Sequence, residues 1–152
     1  MSDYQKVMSI DQPATEVFAA ITAHISDWWS NDLTGAASHV GDSFTIAFGE
    51  TRKTMDIVDV VPDKQVIWKC VASYLDIPGL KNPAEWVGTR IIWTLTAAGQ
   101  GTTLTLLHEG FNQSFECYDA CEAGWEQFLG SLQEYLATGV GKPYLKAVTA
   151  GS

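Results

Sequence analysis

The chain has 152 residues and a formal net charge of −9, from nine basic against eighteen acidic side chains. Nucleic acid and anionic lipid both require a positive footprint, and the densest basic spot is Thr51 to Thr54, with Arg52 and Lys53 between them, so both partner classes are set aside. Hydrophobic residues make up 46% of the chain, enough for a core, yet no run approaches the roughly 18 apolar residues of a membrane span.

The start, "MSDYQKVMSIDQP", has neither the basic flank nor the apolar centre of an export signal. Three cysteines are an odd number for a disulfide framework, so reduced thiols and a cytoplasmic location are expected. The alternation in residues 4–10 predicts a strand. A helix follows, with Asp11 or Gln12 as N-cap and Pro13 in its first turn, carried by Ala14, Val17, Phe18, Ile21 and Ile25 at helical spacing. Trp28 and Trp29 then stand side by side, and neither a helix nor a strand can turn two neighbours onto one packed face.

From about residue 35 the period becomes two. Strands are predicted at 36–40, 43–49, 53–61, 65–73, 87–97 and 102–110, joined by short turns as an antiparallel meander. The connection 74–86 is longer and apolar, carrying Pro78 and Pro83 with Leu75, Ile77 and Leu80, a length usually reserved for function. A helix is predicted over 115–139, with Tyr118, Cys121, Trp125, Phe128, Leu132 and Tyr135 as its stripe, Ser114 or Asn112 as cap, and Gly139 and Gly141 as its end. No repeat or linker divides the chain, so residues 1–152 read as one domain: an α+β curved antiparallel sheet wrapped around a long C-terminal helix, often with a cavity between them.

The alternation sends Val66, Trp68, Cys70 and Ala72 inward, with Ile91, Trp93 and Leu95, and Leu104, Leu106 and His108, on the neighbouring strands. Six tryptophans suit a wall around a space as well as a filled core. Gly124 and Gly130 inside the long helix permit close approach to the sheet or leave room for a ligand. For His108 three roles stand open: a satisfied core histidine, a ligand-orienting group, or a base. Cys70 paired with His108 is a further arrangement, without a visible third member. Cys117 and Cys121 lack a third metal ligand at helical spacing, and His24, His39 and His108 are scattered, so no metal is expected. Glu122 and Glu126 read as a solvated face. No phosphate loop, dinucleotide fingerprint or Gly-x-Ser-x-Gly elbow occurs, and no cofactor is expected.

The run from Pro13 to Thr22, the Trp28–Trp29 pair, "WVGTRIIWTL" (86–95), "TTLTLLHEGF" (102–111) and "GWEQFLGSLQEYLATGVGKPY" (124–144) together resemble the START-like helix-grip (SRPBCC) superfamily. The similar branch is the one named after the C-terminal domain of the activator of heat-shock-chaperone ATPase. The resemblance implies a six- to seven-stranded sheet gripping the C-terminal helix, two short helices after the first strand, and a cavity that takes apolar molecules. It places both tryptophans on the second short helix, with Trp29 expected as the buried plug and Trp28 at the cavity mouth. Stimulation of the chaperone resides in a separate N-terminal module of the founding members, so a chaperone partner is not expected here.

The expected ligand is a small apolar or aromatic molecule walled by Phe44, Phe48, Met55, Trp68, Trp93, Trp125 and Phe128, with Trp28 and Tyr118 beside them. His108 would orient its polar end, and the loop 74–86 would act as lid. The alternatives are an enzyme of cyclase or hydrolase type, with His108 as base and Tyr74 or Tyr118 as acid, and a protein-interaction module. A homodimer through a strand edge is compatible with the sequence.

Overall fold

The computed structural model describes residues 2–146; Met1 and residues 147–152, the two ends of the expected 1–152 unit, lie outside the described residues. Period-two alternation yields β1 (Tyr4–Ile10), β2 (Leu33–Gly35), β3 (Ser43–Phe48), β4 (Thr51–Val61), β5 (Gln65–Tyr74), β6 (Arg90–Ala98) and β7 (Gly101–Glu109). They form one sheet in the order β1-β7-β6-β5-β4-β3-β2, every neighbouring pair antiparallel. Among the described residues two helices complete the fold, α1 (Ala14–Thr22) and α2 (Tyr118–Thr138), with a 3-10 turn at Ile25–Asp27 as the second short helix. This is the helix-grip α+β arrangement expected from the sequence.

The sheet curls around α2. Val66, Trp68, Ile91, Trp93, Leu104 and Leu106 on its concave face are buried against Trp125, Leu129 and Leu132 of the helix, and Val17 and Ile21 of α1 close one end. A fully buried aliphatic or aromatic side chain contributes roughly 1.5–3 kcal/mol, so a helix with this stripe is held by its contacts more than by its propensity. Gly139 adopts φ +85 at the end of α2 and donates to the Tyr135 carbonyl, the left-handed cap its position suggested.

Several boundaries move, for local reasons. The strand placed at 36–40 lies at Leu33–Gly35 instead, because the Asp42 carboxylate accepts the N–H groups of Ser38 and His39 and folds that segment into a turn. Pro13, not Asp11 or Gln12, is the N-cap of α1. Asn112 Oδ1 accepts both the N–H and the hydroxyl of Ser114, so neither residue caps α2, which begins at Tyr118 after Cys117. Residues 87–89 belong to the loop and β6 begins at Arg90. Ala72 points outward because the register between β4 and β5 slips past Val71: Thr54 pairs with Ala72, but Met55 pairs with Cys70.

The tryptophan pair resolves through irregular backbone. Trp28 follows the 3-10 turn with φ −134 and ψ −22, and its ring and that of Trp29 stack at 5.7 Å, 5° from parallel. Trp28 is the sealed plug, reversing the expected roles: it is 0% exposed, and its Nε1 donates to the Ala20 carbonyl at 2.8 Å. Ser131 of α2 donates to the Trp28 carbonyl, and the Lys142 N–H donates to Ser131 Oγ, which draws the chain after α2 back over this corner. Gly141 permits that approach, since a Cβ there would lie 2.5 Å from the Asp27 carbonyl oxygen.

Candidate functional site

A cavity of about 330 Å³ lies between β4, α2 and the loop after β5, at the small end of the range for ligand pockets. Trp29, Trp86 and Trp125 wall it with Phe48, Phe128 and Tyr144; Leu75 and Ile77 cover it from the loop, and exposed Ala120 and Gln127 mark its mouth. Trp29 stacks on Trp125 at 5.4 Å and 23°, and Trp125 on Trp86 at 5.8 Å and 18°, so Trp125 links the three indoles in one stacked run. Gly124 also lines the space, and a Cβ built there meets nothing within 4 Å. Of the two readings of this glycine, room beside the helix is the one the geometry supports.

The structure brings together Phe48, Trp125 and Phe128 from the expected walls, and it places the others elsewhere. Trp28, Phe44, Met55, Trp68 and Trp93 are 0–1% exposed in the packed core and do not reach this cavity. Aromatic packing is the reason: Trp68 meets Phe44 edge-on at 5.0 Å and Trp93 edge-on at 5.4 Å, and these rings fill the concave face. Tyr118 stacks on Phe111 at 5.0 Å and donates its hydroxyl to Glu122 at 2.7 Å, away from the cavity.

His108 sits in the core as a satisfied histidine, both ring nitrogens paired within the protein. It is 0% exposed; Trp125 Nε1 donates to its Nδ1 at 3.1 Å, and its Nε2 lies 2.9 Å from Thr89 Oγ1. Thr89 gives its own proton to the Trp86 carbonyl at 2.7 Å, so its oxygen accepts from His108 and the ring is the neutral Nε2–H tautomer. Burial, and then the Lys53 charge, hold its pKa well below the ordinary histidine value. Cys70 forms no pair with His108. Its Sγ donates to the Ala72 carbonyl, and burial pushes the thiol up to about 11. Tyr74, the last residue of β5, is exposed.

The basic side chain that lines the cavity is Lys53. On β4 it shares the inward face with Met55 and Ile57, and it is 8% exposed. Its Nζ sits 3.6 Å from the centroid of the Trp86 ring and 5.5 Å from that of Phe48. Among the described residues it joins no ion pair. Burial lowers its pKa, against the opposing influence of Cys121, Cys70 and Cys117.

Cys121 lines the same space and accepts the Trp86 Nε1–H at Sγ, 3.4 Å away. The Cys117 thiol beside it, then the Lys53 ammonium and the Trp86 N–H, hold it down to about 7 against desolvation. Cys117 is correspondingly pushed up. Sequence reasoning missed Trp29, Lys53, Trp86, Cys121 and Tyr144 as cavity residues. A signal existed for Lys53, a charge two residues before Met55 on an alternating strand.

The loop 75–89 is tied down at several points. Glu85 accepts the N–H groups of Glu116 and Cys117 at 2.9 and 3.0 Å, and Glu116 in return accepts those of Lys81 and Asn82 at 3.2 and 3.0 Å. Asp76 donates its N–H to Thr51 Oγ1 at the other end. Leu75 and Ile77 are therefore held over the cavity.

The family described as Activator of Hsp90 ATPase homolog 1-like protein matches residues 11–137. The chain belongs to this family. The solution structure of the Aha1 dimer from Colwellia psychrerythraea is similar over 93% of this chain and 100% of that one, with a TM-score of 0.77 and 24% identity. DynU16, from the dynemicin biosynthetic locus, is 24% identical with a TM-score of 0.70, over 96% of this chain; the match spans 51% of DynU16. CalU16 from Micromonospora echinospora is 21% identical with a TM-score of 0.64, over 89% of this chain and 76% of that one. These likenesses establish a shared fold. No curated protein sequence matches the chain. No helix among the described residues is long and apolar enough to cross a membrane.

Proposed function

We propose that this family member binds a small, flat, apolar or aromatic molecule in the cavity between β4, α2 and the loop after β5. The observation that carries the reading is the run of three stacked indoles, Trp29, Trp125 and Trp86, lining one cavity with Gly124, where a side chain would meet open space. A cavity of about 330 Å³ suits a ligand of one or two fused rings. The pinned loop supports the same reading, because a preformed site loses less conformational freedom on binding.

The test is mass spectrometry of the native protein and of its organic extract directly after purification, followed by calorimetry with two-ring aromatic compounds. A retained small molecule, or saturable binding that Gly124→Phe abolishes in a folded protein, supports the proposal. Binding that survives Gly124→Phe would relocate the site. For self-association, β1 is the long edge strand of the sheet and exposes Val7, so a dimer is proposed to form along it. Sedimentation of wild type and Val7→Lys tests that separately.

A further inference from the structure

Lys53 is the unusual feature of this cavity. An ammonium carries three donors, yet this one is 8% exposed, has no carboxylate partner among the described residues, and faces an aromatic ring at 3.6 Å. The face of an indole attracts a cation but accepts no conventional hydrogen bond, and taking an ion out of water is costly. Its position is strand-register, not accident: Met55 and Ile57, the next inward residues of β4, are both apolar and buried. Leu75, Ile77 and Trp125 line the same cavity as the amine, and none of them offers it a side-chain acceptor.

Resting on the cavity reading above, we infer that the ligand is a small aromatic carboxylate, its ring lying against Trp29, Trp86 and Trp125 and its carboxylate paired with Lys53. A carboxylate supplies both the acceptors and the counter-charge that the protein leaves out, and a charge-assisted bond in a desolvated site is stronger than its exposed equivalent. Cys121 is the other group able to carry negative charge there, and its sulfur already accepts the Trp86 N–H. Binding is therefore compared below the Cys121 titration, where the thiol is neutral and Lys53 lacks that competitor.

The experiment is calorimetry at pH 6 with 2-naphthoate and 2-naphthalenemethanol, which share the ring system and differ in charge. Wild type is expected to bind the carboxylate at least tenfold more tightly than the alcohol. Lys53→Met is expected to remove that preference and keep the alcohol affinity within about threefold. Equal wild-type affinities, or a preference that survives in Lys53→Met, would overturn the carboxylate assignment while leaving the cavity reading intact. Failure of wild type to bind either compound would overturn both. The two wild-type affinities decide the matter even where the variant does not fold.

Discussion

Trp125 donates its indole N–H to Nδ1 of His108 at 3.1 Å, and that bond occupies the atom a general base would use. With Nε2–H directed at Thr89, the ring has no free lone pair and no path to solvent. The histidine joins three elements, β7, α2 and the loop before β6, and its task is to satisfy polar groups inside an apolar interior.

The first prediction concerns that proton. In nitrogen-detected NMR, His108 is expected as the Nε2–H tautomer, with no titration near pH 6.5 in the folded protein. Because its folded pKa lies below the unfolded value of about 6.5, the unfolded chain takes up a proton that the folded chain refuses. Stability is therefore full above pH 6.5 and falls on acidification, by at most about 1.4 kcal/mol per pH unit from this group. Titration near pH 6.5 in the folded protein would reopen the acid–base reading.

Gly124 and Gly130 offer a paired test on one helix. A Cβ at either meets nothing within 4 Å. Alanine at each is expected to stabilise the fold by up to about 1 kcal/mol, or roughly 2–4 °C. Only position 124 borders the cavity, so Gly124→Ala weakens ligand binding and Gly130→Ala does not. Equal effects on binding would mean that the ligand sits elsewhere.

Much of the fold was legible because alternation and helical spacing are backbone properties. The sheet, the long helix and its glycine end follow from them. The cavity was less legible, since an inward-facing aromatic looks the same whether it packs on another ring or borders a space. Trp68 and Trp93 do the first, and Trp125 does both. Trp86 was hidden differently: it enters the interior from a loop, where periodicity is silent. Trp28 and Trp29 exchanged roles because their backbone is neither helix nor strand.

Cys121 is expected to be the most reactive of the three thiols. Its alkylation by iodoacetamide should rise with pH around an apparent pKa of about 7 and slow when a ligand fills the cavity. Lys53→Met should move that profile upward by removing a nearby positive charge. Cys70, pushed up to about 11 and buried, should remain unlabelled in the folded protein. Preferential labelling of Cys70 would contradict the assignment.

The loop over the cavity is expected to loosen without unfolding when its carboxylate ties are cut. Glu116→Ala removes the acceptor for the Lys81 and Asn82 N–H groups. Exposed bonds of this kind are worth about 1 kcal/mol, so hydrogen exchange at those two amides should quicken roughly fivefold. Exchange in β6 and β7 should not change. Uniform acceleration across the sheet would show that Glu116 supports the whole fold and not the loop.

The central claim is where a ligand sits, and six tryptophans make it directly observable. Three indoles, Trp29, Trp86 and Trp125, border the cavity, and three, Trp28, Trp68 and Trp93, are sealed in the core. The decisive measurement is the proton–nitrogen spectrum of the six indole N–H groups, assigned by substitution and titrated with 2-naphthalenemethanol. Saturable shifts that are largest at Trp29, Trp86 and Trp125 are the expected result. Shifts largest at Trp28, Trp68 and Trp93, or none at any of the six, would contradict the account.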